Sequence, residues 1–302
     1  MSSSLSRRSF PLAALAAALL SIPGCSRDDG AVSTAHAEAR RNAAATPPDV
    51  VLPGLAPSPT PYIVEPVTNG GTISGIVALD GPPPLDSTIH PPEEIARTCG
   101  GDFVDRTLDA QGPNVSGAIV WLEGIRRGRA LPVTRRFEVT LDHCRLVPRV
   151  QPVVAGSTIQ LHSLDALRSL VRVAQWPGGE TRSTIATNND GEVVPDDRAI
   201  ASVGAFEVRG AQPAWLRAWV LAFDHPYFTT SGTGGTYTLT EIPPGQYRLV
   251  AWHERLGRVE QPVTVTAGQT TTVAIRMRAS APNVSAPVGP DSATADTSRR
   301  SR

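Results

Sequence analysis

The sequence predicts an all-β fold, and three observations carry that expectation. Short apolar or alternating runs recur at roughly 8–12-residue spacing between residues 71 and 277, Gly and Pro punctuate the gaps, and only residues 91–98 (PPEEIART) carry a helical pattern. In order, Thr72–Val77 is a β-rich run closed by Asp80-Gly81-Pro82-Pro83-Pro84, a strong turn signal, and Ser116–Leu122 is nearly continuous apolar. Phe137–Leu141, Thr158–Leu161 and Phe206–Arg209 alternate. Thr236–Leu239 and Tyr247–Ala251 flank the Pro243-Pro244-Gly245 corner, and Val263–Thr266, an Ala267-Gly268 turn and Thr271–Met277 complete the series. Runs of this kind argue for a sandwich or barrel.

Composition narrows function by exclusion. The chain has 302 residues, 28 basic and 28 acidic, and every basic residue is Arg. Without an ε-amine there is no Walker A loop, no Schiff-base lysine and no Ser–Lys dyad. A net charge of zero supplies no field for nucleic acid. Removing residues 1–24 takes Arg7 and Arg8 and leaves the chain slightly acidic. Cys occurs three times and Met twice, one of them the initiator.

Arg7, Arg8 and the apolar run Phe10–Ile22 read as a signal peptide too short to span a bilayer, ending in Ile22-Pro23-Gly24-Cys25. That ending resembles the lipobox of bacterial lipoproteins, which implies cleavage after residue 24 and lipidation of Cys25, a stable two-chain anchor. Ser26, rather than Asp, after the cysteine favours outer-membrane sorting. Ser6-Arg7-Arg8-Ser9-Phe10 resembles a twin-arginine motif, and both export routes stay open. Residues 25–70 read as a Pro/Ala-rich tether and 280–302 as a disordered tail.

Gly235 to Trp252, with its Pro243-Pro244-Gly245 corner, followed by Val263-Thr264-Val265-Thr266-Ala267-Gly268, resembles the carboxypeptidase regulatory-like module. The resemblance implies a transthyretin-like sandwich at 225–279, related to carbohydrate-binding-like folds. Val147–Val150, Leu161–Ser163, Leu167 and Trp215–Ala218 resemble envelope proteins in which a plastocyanin-like core accompanies that module. The expected domain is therefore a cupredoxin-like Greek key at 71–224, although Gly71–Val77 and Val115–Val120 also look like the opening strands of the C-terminal sandwich.

That second resemblance implies a copper site, and the residues depart from it. The family's first His ligand follows a Leu, whereas Arg168 follows Leu167 here. Its Cys–Asp–x–His–Pro–Trp–Met segment becomes Gly210 to Leu216, with Gly210, Pro213 and Leu216 at the Cys, His and Met positions. Type 1 copper requires two imidazoles and a thiolate, so no metal and no cofactor are expected. Cys99 and Cys144 match a pair that the resemblance implies is disulfide-bonded, an even count once Cys25 carries lipid; two free thiols are the alternative. Such a bridge contributes about 4 kcal/mol by the chain-entropy model.

The remaining candidates are surfaces. His36, His90, His143, His162, His225 and His253 form no metal or protease motif, and no nucleophile elbow occurs, so no enzyme is expected. Asp196-Asp197 and Glu93-Glu94 read as solvated turns. Arg126, Arg127, Arg129, Arg135 and Arg136 read either as a solvated loop or as an anion patch. Trp176, Trp215 and Trp219 with Leu216 read either as core or as a docking face. Together these describe a lipid-anchored envelope protein that binds or scaffolds an envelope protein or glycan, with a copper electron carrier and a carbohydrate-binding module as alternatives.

Overall fold

The computed structural model describes residues 54–279, apart from 178, 180, 189 and 190. The signal segment, Cys25, His36, the first part of the tether and the tail at 280–302 lie outside the described residues.

Two β-sandwiches form the described chain. One, the split sandwich, takes strands from both sides of the other, the insert sandwich. The split sandwich's outer sheet orders Thr236–Ile242, Gly71–Leu79, Asn114–Ser116 and Asp109–Gln111, with Thr270–Met277 running parallel to Gly71–Leu79. Its inner sheet orders Phe228–Thr230, Ile119–Glu123, Gly245–His253 and Gly257–Val265. Alternation places Tyr237, Leu239, Ile73, Val77, Leu249 and Val263 in the core between them.

The strands of 71–123 thus pair with the C-terminal strands and not with the insert. The insert sandwich begins at Arg136 and ends at Phe223. Its outer sheet orders Arg145–Val147, Arg136–Asp142, Ser157–Ser163 and Val193–Ile200; its inner sheet orders Val150–Val154, Arg217–Phe223, Gly204–Gln212, Ser169–Trp176 and Thr181–Thr187. This is the Greek-key arrangement expected of a cupredoxin-like domain, so a boundary at 71 gives way to one near 136. Asp196-Asp197 falls inside the edge strand Val193–Ile200 and not in a turn.

Three further segments complete the fold. Glu93–Cys99 forms a helix (α1) because two acids occupy its first turn and Gly100 adopts the left-handed conformation (φ 82°) that ends it. With the small hairpin Ser87–Ile89 and Phe103–Asp105, α1 forms a cap beside the insert core. From residue 54 onward the tether is docked: Ile63–Val64 pairs with Arg127–Gly128, and the Tyr62 hydroxyl donates to the Arg129 carbonyl at 2.8 Å. Residues 62–65 lie between prolines, which leaves their N–H groups able to pair.

The two inner sheets face each other across an aromatic seam of Ile119, Trp121, Trp219, Phe223, Val250 and Trp252. Trp219 stands edge-on to Trp176 and Trp252, with ring centroids at 5.5 and 6.2 Å. Trp121 meets Phe223 at 5.5 Å. Trp219→Ala removes the central ring, and urea unfolding is expected to show a loss of about 3–5 kcal/mol; a loss below 1 kcal/mol would mean that the seam does not hold the sandwiches together.

Candidate functional site

One end of the insert sandwich carries Arg168, Gly210, Pro213 and Leu216, the four positions at which the resemblance implies copper ligands. Leu167 is buried in the core and Arg168 is exposed. The Gly210 N–H donates to the Leu216 carbonyl at 2.8 Å, closing a tight loop. A Cβ on Gly210 would run into the Pro213 carbonyl and lie 2.8 Å from Leu216 Cβ. Leu216 itself is buried in the insert core. The four positions therefore present an exposed guanidinium, no side chain, a tertiary amide and an alkyl group. None is an imidazole, thiolate or thioether.

The cap is bound to that same end. Cys99 of α1 and Cys144 form a disulfide with Cα atoms 5.6 Å apart. Ile95, Cys99 and Phe103 pack on the insert core. Trp215 donates from Nε1 to the Cys144 carbonyl at 3.1 Å and meets the Phe103 ring edge-on at 6.3 Å. His143 and Cys144 hold positive φ values of 47° and 58°, and the Asp165 carboxylate accepts both of their N–H groups, at 3.0 and 2.7 Å. Two residues in the left-handed region are costly, and the charge-assisted bonds fix them.

The structure disperses the other candidates. Of the five clustered arginines, Arg126 faces Asp224 (4.0 Å), Arg127 faces Glu65 (3.5 Å), and Arg129 faces Glu241 (3.5 Å) while lying over the Tyr227 ring. Only Arg135 and Arg136 remain exposed without an ion pair among the described residues, so the patch is largely compensated. The three tryptophans do not share a face. Trp219 is buried in the seam, Trp176 packs against it, and Trp215 sits under the cap. Trp219 thus takes the core alternative, and Trp176 and Trp215 are half-buried against separate cores. A shallow depression beside the seam, lined by Glu123, Tyr247, Arg248 and Val263, is crossed by ion pairs from Glu123 to Arg248 (2.9 Å) and Arg258 (2.8 Å).

Among the described residues no three His, Cys, Asp or Glu side chains converge as a metal would require. His90, His143 and His162 pair with Asp102, Asp142 and Glu138 at 2.8, 2.6 and 3.1 Å. His225 and His253 are buried, each accepting a backbone N–H at Nδ1 from a residue two positions on, at 3.2 Å. Burial lowers His225 to about 4, with Asp224 opposing and Arg126 assisting. Burial, Arg149 and Arg255 lower His253 to about 3.

A buried polar cluster was missed in the sequence. Glu254 accepts from Arg149 Nε and, at 2.9 Å, from Trp219 Nε1; Arg149 Nη1 also reaches Asp105 at 3.0 Å. Burial alone would lower the Arg149 guanidinium, yet Glu254 and Asp105 outweigh it and hold the group above its ordinary value. No signal could have found it, because residues 105, 149, 219 and 254 meet only through the packing of the two sandwiches.

One family model matches part of the chain. The model of the carboxypeptidase regulatory-like domain matches residues 217–278. Its first strand, Arg217–Phe223, belongs to the insert sandwich here, and the rest belongs to the split sandwich. Solved structures similar to part of the chain include a reduced auracyanin from Roseiflexus castenholzii (9% identity, TM-score 0.26, covering 30% of this chain and 99% of that one). Amicyanin from Paracoccus versutus matches at 14% identity and TM-score 0.22, covering 31% of this chain and 85% of that one. A Cu(I) form of an amicyanin variant matches at 12% and 0.25, covering 29% and 82%. No curated protein matches the chain.

The two buried histidines set an acid sensitivity. Their folded pKa values lie below the unfolded value, so stability is complete above about pH 6.5 and falls as pH drops toward 4 and 3. Each contributes roughly 3–5 kcal/mol of that decline. Denaturant melts of His225→Asn and His253→Asn between pH 7 and 4 are expected to show a shallower pH slope than the parent; an unchanged slope would exclude these groups as its source.

Proposed function

We propose that the protein is a lipid-anchored cell-envelope protein whose two sandwiches act as a non-catalytic binding or scaffolding unit. The observation that carries this reading is the chemistry at the capped end of the insert. A type 1 copper ion needs imidazole, thiolate and usually thioether donors. Arg168, Gly210, Pro213 and Leu216 offer none of these, and a guanidinium at the first position is an obligate cation. The residues do not fit the metal. The cap gives this end a structural use, since its disulfide and the Trp215 contacts hold it to the insert core. Support for anchoring comes from the Ile22-Pro23-Gly24-Cys25 sequence alone.

Two measurements test the reading. Copper added to the purified protein is expected to give no intense visible charge-transfer band at one-to-one stoichiometry; such a band would restore the electron-carrier alternative. Membrane fractionation with a radiolabelled fatty acid is expected to label the parent chain and not Cys25→Ser, which is expected to leave the membrane fraction. A glycan array distinguishes the carbohydrate-binding alternative.

A further inference from the structure

We propose that Arg172, Arg209 and Arg217 form an oxyanion-binding row on the inner sheet of the insert sandwich, with Arg172 and Arg209 as the ligand-gripping pair. The register places Arg172 directly opposite Arg209, and Arg209 directly opposite Arg217. Their chain neighbours Val171, Val173, Val208 and Ala218 all enter the insert core, so the three guanidinium side chains share the opposite face. Directly opposed residues have Cβ atoms about 4.5–5.5 Å apart, where like charges repel. Arg209 therefore has a cation on each side.

Compensation in the protein stops at one end of the row. Glu207 pairs with Arg217 at 2.8 Å, and both are nearly buried beside Trp219. Burial lowers the Arg217 guanidinium, Glu207 raises it and Arg209 lowers it again, so Arg209's charge is felt by its neighbour. Among the described residues no carboxylate pairs with Arg172 or Arg209, and the residue on the far side of Arg172 is Thr184. Arg172 is exposed and Arg209 half-buried, which leaves the pair reachable from solvent. Two planar forks on neighbouring strands suit one phosphate or carboxylate group held by parallel N–H bonds. The row depends on sheet register and not on the lipid anchor, so it stands or falls apart from the anchoring proposal.

Titration calorimetry of the full chain with inorganic phosphate and, separately, with glucuronate tests the row. Saturable one-to-one binding of either is expected; phosphate binding assigns a phosphoryl ligand and glucuronate binding a sugar-acid carboxylate. Arg172→Gln and Arg209→Gln are each expected to weaken it about tenfold or more, and Arg209→Lys, which keeps the charge without the fork, by less. Arg276→Gln, exposed on the outer sheet of the split sandwich, is expected to leave it unchanged. In thermal melts the bound anion raises the parent's melting temperature, and Arg172→Gln/Arg209→Gln abolishes the increment. No saturable binding of either anion up to about 10 mM, or binding indifferent to both glutamine variants, would overturn the proposal.

Discussion

A carboxylate with 3% exposure of its side chain needs partners, and Glu254 finds all of its own on the other sandwich. It follows directly on the last strand of the split sandwich's inner-sheet centre, Gly245–His253, while Arg149 and Trp219 belong to the insert. Removing one partner from such a group leaves a buried uncompensated charge, which is costly. The charge is satisfied only when the sandwiches are docked in one register. The aromatic seam supplies the area for docking; Glu254 supplies the reason for this alignment over a slid one. Asp105 extends the same constraint to the cap through Arg149, and Arg255 adds bonds to the Leu85 carbonyl and the Thr107 hydroxyl, both at 2.9 Å.

The all-β class and the C-terminal corner were legible because they depend on local pattern. Tyr237 and Leu239 alternate inward as the sequence indicates, and α1 forms where PPEEIART suggested it. Other strands were not legible. Thr181–Thr187 buries Ser183, Ile185 and Thr187, so its inward face carries little apolar contrast. Val193–Ile200 contains Pro195 and two acids and survives as an edge strand, where a missing N–H is tolerated. Ser169–Trp176 has an alternation interrupted by partly buried residues at its end.

Site residues were read less well, for a reason of geometry. Of five arginines adjacent in sequence, three face separate carboxylates on separate segments. Three arginines at 172, 209 and 217 stand side by side because strands pair at long range. Likewise Trp176, Trp215 and Trp219, for which core and docking face both stayed open in the sequence, pack in the seam or beneath the cap. Clustering along a chain is poor evidence for clustering on a sheet, whose neighbours are set by register. The disulfide is the exception: counting cysteines and noting a resemblance pointed to Cys99 and Cys144, and the cap geometry joins them.

The chain leaves the split sandwich through Ile119–Glu123 and comes back through Phe228–Thr230, and these strands are hydrogen-bonded neighbours with Phe228 opposite Trp121. To that ladder, the roughly one hundred residues between are one connection, and closure cost rises only logarithmically with its length. The insert can therefore be regarded as a cassette. Its ends are as close as those of a hairpin, and a shorter or longer passenger could join the same two strands without altering their pairing. The seam, where Trp219 and Glu254 meet, and the cap, bridged to the insert by Cys99–Cys144 and by Asp105 on Arg149, record which passenger this scaffold carries.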